Sequence, residues 1–389
     1  MIDRRTLLYQ QRLGHYRVGN KIYHNRFQAA MQAKQSGLLL DWHFNESVFG
    51  SIDWTMPIDT PLDQLYRLRA QQLRDTYDYL ILNFSGGIDS LTALHSFIDN
   101  GIFLDEILVQ VPSNFKPNSE DHSNANYWSE IEYQARPHLK KYQHLIDPRT
   151  RIRFQDINQA VINLFRRDDW ADSVMPHCNL TVPGFGRVAA QYQDAFVLDL
   201  AMQGRAVGRI YGCEKPKIRH HDNKYWAYFQ DVGIYTHTAP GTTAESRALF
   251  EFHNVEPFYW TPFMPEIVVK QCQTIMAMVK SNQRFQLRLH SALSKLRGWT
   301  DYETLIAPVI YTRYNDVIWR TEKVTEFVVR GTDNWFWQGA DVKQTINFLD
   351  LLKWYDDKID SSEFFEGTVL SGARPKTSGQ YFIGTVRDQ

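Results

Sequence analysis

The feature that most constrains the fold is a short stretch that passes from an apolar run through a glycine turn into a helix pattern. Residues 79–101 read YLILNFSGGIDSLTALHSFIDNG. The apolar run that opens this stretch predicts a buried parallel strand, and the pattern at 90–100 predicts a helix that Gly101 ends. Adjacent glycines cost backbone entropy, so Gly86 and Gly87 need a structural or functional reason.

A glycine turn between a strand and a helix suits an anion. Backbone N–H groups point outward there, no Cβ blocks a ligand, and the helix N-terminus carries partial positive charge. Ser85 and Ser90 flank the turn and can donate hydroxyl hydrogen bonds to phosphate oxygens. Asp89 would repel phosphates unless a cation lay between them, so it predicts Mg²⁺ bound together with a nucleotide. The alternative is a tight strand-to-helix turn in which Asp89 caps its own helix.

Strand and helix patterns alternate around this turn, which predicts an α/β fold with a parallel sheet. We expect three regions: a small α+β N-terminal module at 1–58, the α/β domain at 59–232, and a mostly helical C-terminal region at 233–389. The predicted strands lie at 21–24, 38–44, 79–84, 106–112, 152–157 and 206–212, with a hairpin at 217–232 and a strand near the C-terminus. The predicted helices lie at 26–36, 61–76, 90–100, 127–147, 157–167, 187–204, 264–280, 281–297 and 342–357.

Composition excludes several classes of protein. The formal net charge of −1 gives the molecule as a whole no electrostatic attraction to nucleic acid or membranes, although local charged patches could still attract them. Three cysteines without a CxxC pair predict neither a disulfide framework nor a structural zinc site. The N-terminus lacks a secretory signal pattern, and no run approaches the ~18 apolar residues of a transmembrane helix. We therefore expect a cytoplasmic protein without a membrane segment.

A second glycine motif, GFGRVA at 184–189, fits the GxGxxA pattern of dinucleotide-binding turns. The segment before it contains two prolines and is a poor buried strand, and the acidic residue Glu214 comes too late in the chain for that pattern. We interpret this motif as a plain helix-entry turn. Arg187 on the turn is a candidate substrate-binding residue.

Topology predicts a second part of the candidate site. The strand at 206–212 follows a helix and should join the same parallel sheet, so its carboxyl end should lie at the edge where the Ser85–Ser90 loop lies. The sequence GCEKPK leaves that strand at Gly212. Lys215 is therefore expected beside the loop, although about 125 residues separate the two.

SGGIDS at 85–90 matches the SGGxDS loop of the PP-loop ATP pyrophosphatases, the adenine nucleotide α-hydrolase-like superfamily. The chain most resembles the synthetase domain of asparagine synthetase, because a helix precedes the strand and a late helix follows the Pro-Phe element in TPFMPEIVVKQ at 261–271. The resemblance covers roughly residues 61–275, and the loop is its strong match. It implies a PP-loop (HUP-like) sheet, and such stand-alone proteins also occur in bacteriophages.

The resemblance implies an ATP-dependent reaction. The family cleaves ATP to AMP and pyrophosphate and adenylates a carboxylate or carbonyl oxygen, which an amine or sulfur nucleophile then attacks. By this resemblance the loop residues hold the pyrophosphate, Asp89 holds Mg²⁺, and Val111 meets the adenine edge. The implied pyrophosphate-binding residues are Ser85, Gly86, Gly87 and Ser90.

The chain also departs from the asparagine synthetases. It has no glutaminase half, since Ile2 stands where their catalytic cysteine follows the initiator methionine. Their GDGxDE segment is replaced by Gly212–Lys217, where Lys215 would stabilise charge during adenylation and Glu214 would orient it or ligate metal. Lys217 and Arg219 begin a basic hairpin that either binds an anionic substrate or is a solvated face.

Three functions remain open at this point. The first is an adenylating ligase that joins an amine to a small-molecule acid. The second is the same chemistry on a nucleobase of tRNA or DNA, which the basic hairpin and its aromatic residues permit and the net charge disfavours. The third is a non-catalytic nucleotide-binding partner or sensor that has kept the fold.

Overall fold

The structure is a computed structural model, and it describes residues 14–23, 29, 32–33, 35–111, 131–156, 194–212, 214–230, 244–294, 299–317 and 377–385. Arg187, the GFGRVA motif, and the helices predicted at 157–167 and 342–357 lie outside the described residues.

The elements are numbered in chain order. They are β1 (His15–Val18), β2 (Lys21–Tyr23), β3 (Leu40–His43), α1 (Glu46–Phe49), α2 (Leu62–Thr76), β4 (Tyr79–Asn83), α3 (Ile88–Ile98), β5 (Glu106–Val111), α4 (Arg136–Lys141), β6 (Arg151–Asp156), α5 (Ala195–Met202), β7 (Val207–Tyr211), β8 (Lys217–His221), β9 (Lys224–Tyr228), α6 (Ala244–Phe252), β10 (His253–Pro257), α7 (Glu266–Ser281), α8 (Gln283–Ser294), α9 (Trp299–Ile310) and β11 (Tyr381–Thr385). A π-helical turn, Ile131–Ala135, leads into α4.

The centre of the protein is a five-stranded sheet in the order β10-β7-β4-β5-β6, and every neighbouring pair in it is parallel. The predicted α/β class with a parallel sheet is therefore confirmed. The middle strand β4 is YLILN, and the side chains of Leu80, Ile81 and Leu82 have no exposed surface because helices cover both faces of the sheet.

The two faces of the sheet have separate cores. Alternate residues of β4 point to opposite faces, so Leu80 and Leu82 belong to the large core, whereas Tyr79 and Ile81 belong to a smaller one. Helices α2, α3 and α7 contribute to the large core, and α5 and α6 contribute to the smaller one. This arrangement is a doubly wound sheet, compatible with a Rossmann-like fold.

The order of the strands creates a switch point between β4 and β7. The chain moves outward from β4 through β5 to β6, then returns to the other side of β4 to form β7 and β10. Connections that leave two adjacent strands in opposite directions open a crevice at the carboxyl edge, and ligands of doubly wound proteins bind there. The Ser85–Ser90 loop and the turn after Tyr211 both begin at this crevice.

The fifth strand corrects the predicted boundary of the sheet. β10 lies at 253–257, beyond residue 232, where the α/β domain was expected to end. Its sequence, HNVEP, is polar, and the Glu256 side chain is buried because it pairs with Arg69 of α2, Nη2 to Oε2, at 2.9 Å. A buried ion pair thus supports a strand that a hydrophobic pattern would not indicate.

Two small antiparallel sheets flank the main one. β1, β2 and β3 form the first, which confirms strands near 21–24 and 38–44, although the second begins only at Leu40 and leaves Leu39 79% exposed. β8, β9 and β11 form the second sheet, which confirms the predicted hairpin and the strand near the C-terminus. Phe229, which follows β9, packs on Phe49 of the N-terminal module with ring centroids 4.5 Å apart, so these parts share a core.

Helices α7, α8 and α9 make up much of the described C-terminal region. The first two confirm the helices expected at 264–280 and 281–297, whereas α9 was not predicted. Of the residues described, none belongs to a helix that is long and apolar enough to span a membrane.

Candidate active site

The Ser85–Ser90 loop joins the carboxyl end of β4 to the start of α3, as the sequence predicted. Gly87 caps the helix, and Ile88 is its first residue. The Ser85 hydroxyl accepts from the Gly87 N–H at 3.2 Å, and the Ser90 hydroxyl donates to the Gly87 carbonyl at 3.1 Å. The Ser90 hydroxyl also accepts from the Ser85 N–H at 3.3 Å. Both serines therefore stabilise the turn itself.

Gly86 is required by a close approach of the chain. Its φ of +82° is left-handed, and a Cβ at this position would lie 2.5 Å from the backbone nitrogen of Ala135. The π-helical turn thus packs directly on the loop at this point. The expectation that a missing Cβ leaves space for a ligand is wrong on this side of Gly86, because the chain itself fills that space.

Gly212 allows the end of β7 to pack against α3. A Cβ on Gly212 would lie 2.9 Å from the Asp89 carbonyl oxygen and 2.9 Å from the Ala93 Cβ. Two residues later Glu214 has a left-handed φ of 76°, which turns the chain toward the loop. The result is that Lys215 Nζ lies 2.9 Å from Asp89 Oδ2. The predicted juxtaposition of Lys215 with the loop is confirmed.

The Lys215 ammonium is buried among acidic and aromatic groups. It lies 3.6 Å from Glu303 Oε1 of α9, and 5.7 Å from the centre of the Tyr311 ring. Burial alone would lower the pKa of Lys215, but the charges of Asp89 and Glu303 outweigh burial and raise that pKa above its ordinary value. Lys215 is therefore a permanent cation and cannot serve as a base near neutral pH.

Asp89 is only 22% exposed at its side chain. Its Oδ2 accepts from Lys215, and its backbone carbonyl accepts from the Tyr259 hydroxyl at 2.6 Å. Its Oδ1 is buried and has no hydrogen-bond partner among the described residues. The Asp89 side chain is therefore half-buried, because Lys215 in the turn after β7 packs against it. Asp89 Oδ1 is thus a buried hydrogen-bond acceptor at the crevice that no described donor satisfies.

The arrangement fits Mg²⁺ only in company with a phosphate ligand. Among the residues described, no group of three or more His, Cys, Asp or Glu side chains could hold a metal ion by itself. Magnesium in nucleotide sites is commonly bound by one or two carboxylates plus phosphates and water, so the single free oxygen of Asp89 meets that minimum.

The remaining predicted residues divide into two groups. Glu214 was expected to orient Lys215 or bind metal, but its Oε2 pairs with Lys217 Nζ at 2.9 Å. Lys217 is buried beside the Trp260 ring, so the interpretation of the hairpin as a solvated face is wrong for this residue. Arg219 is exposed, and its guanidinium lies 4.3 Å from the centre of the Tyr228 ring. Val111 ends β5 at the same edge of the sheet and is half-buried.

Three residues at the site were not predicted from the sequence: Tyr259, Glu303 and Tyr311. Tyr259 follows β10, so recognising the fifth strand would have brought it to the carboxyl edge. Glu303 and Tyr311 come from α9 and the residue after it, and no motif marks them. Burial raises the pKa of Tyr311 well above its ordinary value, and within the part of the chain that the structure describes its hydroxyl has no hydrogen-bond partner.

Comparison with known proteins gives no match: no family model, no curated protein and no solved structure resembles the chain closely enough to assign it. What the fold and the site define is a class, a doubly wound parallel α/β protein with a buried Asp–Lys pair at its switch point.

Proposed function

We propose that the protein binds ATP with Mg²⁺ at the switch point and adenylates a carboxylate or carbonyl oxygen, releasing pyrophosphate. The observation that carries this proposal is the 2.9 Å contact between the cation of Lys215 and Asp89 of the glycine loop. One strand end thus supplies an anion-binding turn, and its neighbour supplies a fixed positive charge. The PP-loop type of sheet is part of the same proposal.

The loop would hold the pyrophosphate portion of ATP. The N-terminus of α3 directs N–H groups at the crevice, and the hydroxyls of Ser85 and Ser90 can exchange their bonds within the turn for bonds to phosphate. Val111, at the end of the neighbouring strand β5, would lie toward the adenine. Magnesium, when bound, neutralises phosphate charge, and Asp89 Oδ1 is the oxygen that would hold it.

Lys215 would stabilise the transition state. In adenylation the acceptor oxygen bonds to the α phosphorus while the bond to the oxygen bridging the β phosphate breaks, and pyrophosphate leaves with that bond's electrons. A buried ammonium that stays protonated can neutralise the negative charge that develops on the α-phosphate oxygens. An amine would then attack the activated carbon, and AMP would leave with the acceptor oxygen.

A second candidate is supported by the packing of the loop. The Ala135 backbone fills the side of Gly86, the serine hydroxyls bond within the turn, and Lys215 is already neutralised. Apart from Asp89 Oδ1, these groups of the loop are satisfied without a ligand, which suits a non-catalytic partner or sensor that has kept the fold. The two candidates differ in whether ATP is turned over.

The test is ATP turnover with and without Mg²⁺ across pools of amino acids, other metabolites and RNA. Formation of AMP and pyrophosphate supports the first candidate, ATP binding without turnover supports the second, and ADP with phosphate contradicts both the proposed reaction and its loop assignment.

A variant tests the loop directly. Asp89→Asn should weaken Mg²⁺-dependent ATP binding in calorimetry, since the amide is a poorer ligand for magnesium. Asp147→Asn is the matched control: Asp147 also pairs with a basic side chain, Arg149 at 2.7 Å, and its side chain is 30% exposed, but it precedes β6 at the opposite edge of the sheet. Equal affinities in both variants would remove Asp89 from the site.

A further inference from the structure

We infer that the outer face of the β8-β9-β11 sheet is a platform for single-stranded nucleic acid. The platform consists of Arg219 and His221 of β8, Lys224, Trp226 and Tyr228 of β9, and Phe382 of β11. That the bound nucleic acid supplies the acceptor oxygen for adenylation rests on the proposed function. That the platform binds single-stranded nucleic acid does not rest on it.

The register of the strands brings the platform together. Arg219 pairs with Trp226, and Trp226 pairs with Phe382, so these three side chains form a row across the sheet on one face. The opposite face is core: its alternating side chains are buried, and they are Ile218, Tyr225, Ala227, Tyr381 and Ile383. Because that face already packs on the protein, the row is directed outward.

The rings and cations of the row are arranged for stacking. His221 lies parallel to Trp226 with ring centroids 5.5 Å apart and an interplanar angle of 6°, and Phe382 meets the other side of Trp226 at 5.4 Å. Phe382 is 38% exposed and the His221 side chain is 47% exposed, whereas Trp226 and Tyr228 are half-buried. Exposed aromatic rings interleaved with cations are the features on which unpaired bases stack and phosphates pair.

The charge of the platform favours a single strand over a duplex. Arg219 and Lys224 are exposed cations, and the exposed acid Asp222 lies in the turn between their strands. This charge is too small to hold a duplex by phosphates alone, and the bases of a duplex are stacked and inaccessible to rings. A single strand adds base stacking to a few phosphate contacts, so it gains from both features.

The platform and the candidate active site lie on consecutive residues of the chain. β8 begins at Lys217, two residues after Lys215. The Tyr302 hydroxyl of α9 donates a hydrogen bond to the carbonyl of Pro216, the residue between them. Arg219 is two residues further along the strand, roughly 7 Å. A nucleic acid lying along β8 would have one end near the turn that contains Lys215, and a carbonyl oxygen of a base at that end is the group that fits the proposed acceptor.

The binding test uses fluorescence anisotropy with labelled oligonucleotides of uridine and of thymidine, about 12 nucleotides long, and with a duplex of the same length. Wild-type protein should bind the single strands better than the duplex. With two cations in contact, the logarithm of affinity should fall with the logarithm of salt at a slope of about −1.4. RNA and DNA arms identify which nucleic acid is preferred.

Variants of exposed residues test the platform without disturbing the core. Phe382→Ala and Arg219→Gln should each weaken binding roughly tenfold, the loss of about one stacked base or one cation-assisted contact. Phe154→Ala is the matched control. Phe154 is 39% exposed, and the Arg136 guanidinium lies 4.2 Å from the centre of its ring, but it belongs to β6 at the far edge of the main sheet. Its affinity should stay unchanged.

Several outcomes overturn the inference: no measurable binding of single strands, equal binding of the duplex, or equal losses in Phe382→Ala and Phe154→Ala. Asp89→Asn separates the two proposals, since it should impair ATP binding and leave oligonucleotide binding unchanged. Oligonucleotide binding without any ATP turnover would support the platform and count against the proposed function. Stimulation of pyrophosphate release by the single strand would support both.

Discussion

The ion pair between Lys215 and Asp89 can be tested by a double-mutant cycle. Lys215→Met removes the ammonium and keeps most of the aliphatic stem, so it leaves the Asp89 carboxylate without its partner. Removing one member of a buried pair typically costs about 3–5 kcal/mol of unfolding free energy, mainly because the other charge stays uncompensated. Asp89 retains 22% exposure and hence partial hydration, so we expect about 2–3 kcal/mol here.

The second arm of the cycle is Asp89→Asn. The amide oxygen can still accept from the ammonium, and Glu303 remains 3.6 Å from Lys215, so about 1–2 kcal/mol is expected. The double variant contains neither the Asp89 carboxylate without its ammonium nor the ammonium without its Asp89 partner, and Glu303 loses Lys215 in both the single Lys215→Met variant and the double variant, so that loss cancels in the cycle. The loss in the double variant should therefore be smaller than the sum of the single losses by about 1–3 kcal/mol.

Urea unfolding followed by circular dichroism gives these free energies, provided that the dependence on urea stays constant among the variants. The control cycle is Arg149→Met with Asp147→Asn, whose exposed pair should couple by less than ~1 kcal/mol. A coupling for Lys215 and Asp89 within ~0.5 kcal/mol of zero would refute the argument that the two groups compensate each other.

Three further variants follow from the backbone and burial. Gly86→Ala should cost more than ~2 kcal/mol of unfolding free energy, because the left-handed backbone and the 2.5 Å contact with Ala135 both oppose a Cβ. Gly101→Ala is the control: its φ is +64° and it has no neighbour within 4 Å among the described residues, so it should cost about 1 kcal/mol. Equal melting temperatures of the two variants would contradict this. Gly212→Ala should weaken ATP-Mg²⁺ binding in calorimetry, because the added Cβ would push the turn with Lys215 away from the loop. Gly379→Ala is the control, since no described atom lies within 4 Å of the added Cβ. Unaltered affinity in both variants would refute the role of close packing at Gly212. Burial lowers the pKa of His253 from 6.5 to about 3, so proton uptake on unfolding reduces stability as pH falls through that interval. His253→Asn should lose less unfolding free energy than wild type over the same interval, by on the order of 3–5 kcal/mol, and parallel pH profiles would rule this out.

The central part of the fold could be predicted because local and global preferences agree there. YLILNF is apolar enough to be buried on both faces, the glycines fit the turn, and the following helix pattern is regular, so β4, the loop and α3 were expected where they occur. The rule that parallel strands end at one edge then placed Lys215 beside the loop across 126 residues.

The remainder depends on long-range compensation, which a sequence pattern does not display. Glu256 is a poor strand residue until Arg69 is brought to it, so β10 was missed. Glu303 resembles any helical acid, and only tertiary packing directs it to Lys215. Lys217 is buried because its ammonium pairs with Glu214 and lies over the Trp260 ring. A hydropathy pattern does not reveal either contact.

The separation of Asp89 from its partners has a consequence for synthesis of the protein. Translation proceeds at about 5–20 residues per second, so Lys215, 126 residues later, is made roughly 6–25 s after Asp89. Tyr259, which donates to the Asp89 carbonyl, follows Asp89 by 170 residues, and the contact of Tyr66 with Ile310 spans 244. On the ribosome the glycine loop therefore exists for many seconds before its covering groups have been made, and its closure is among the later events of chain assembly.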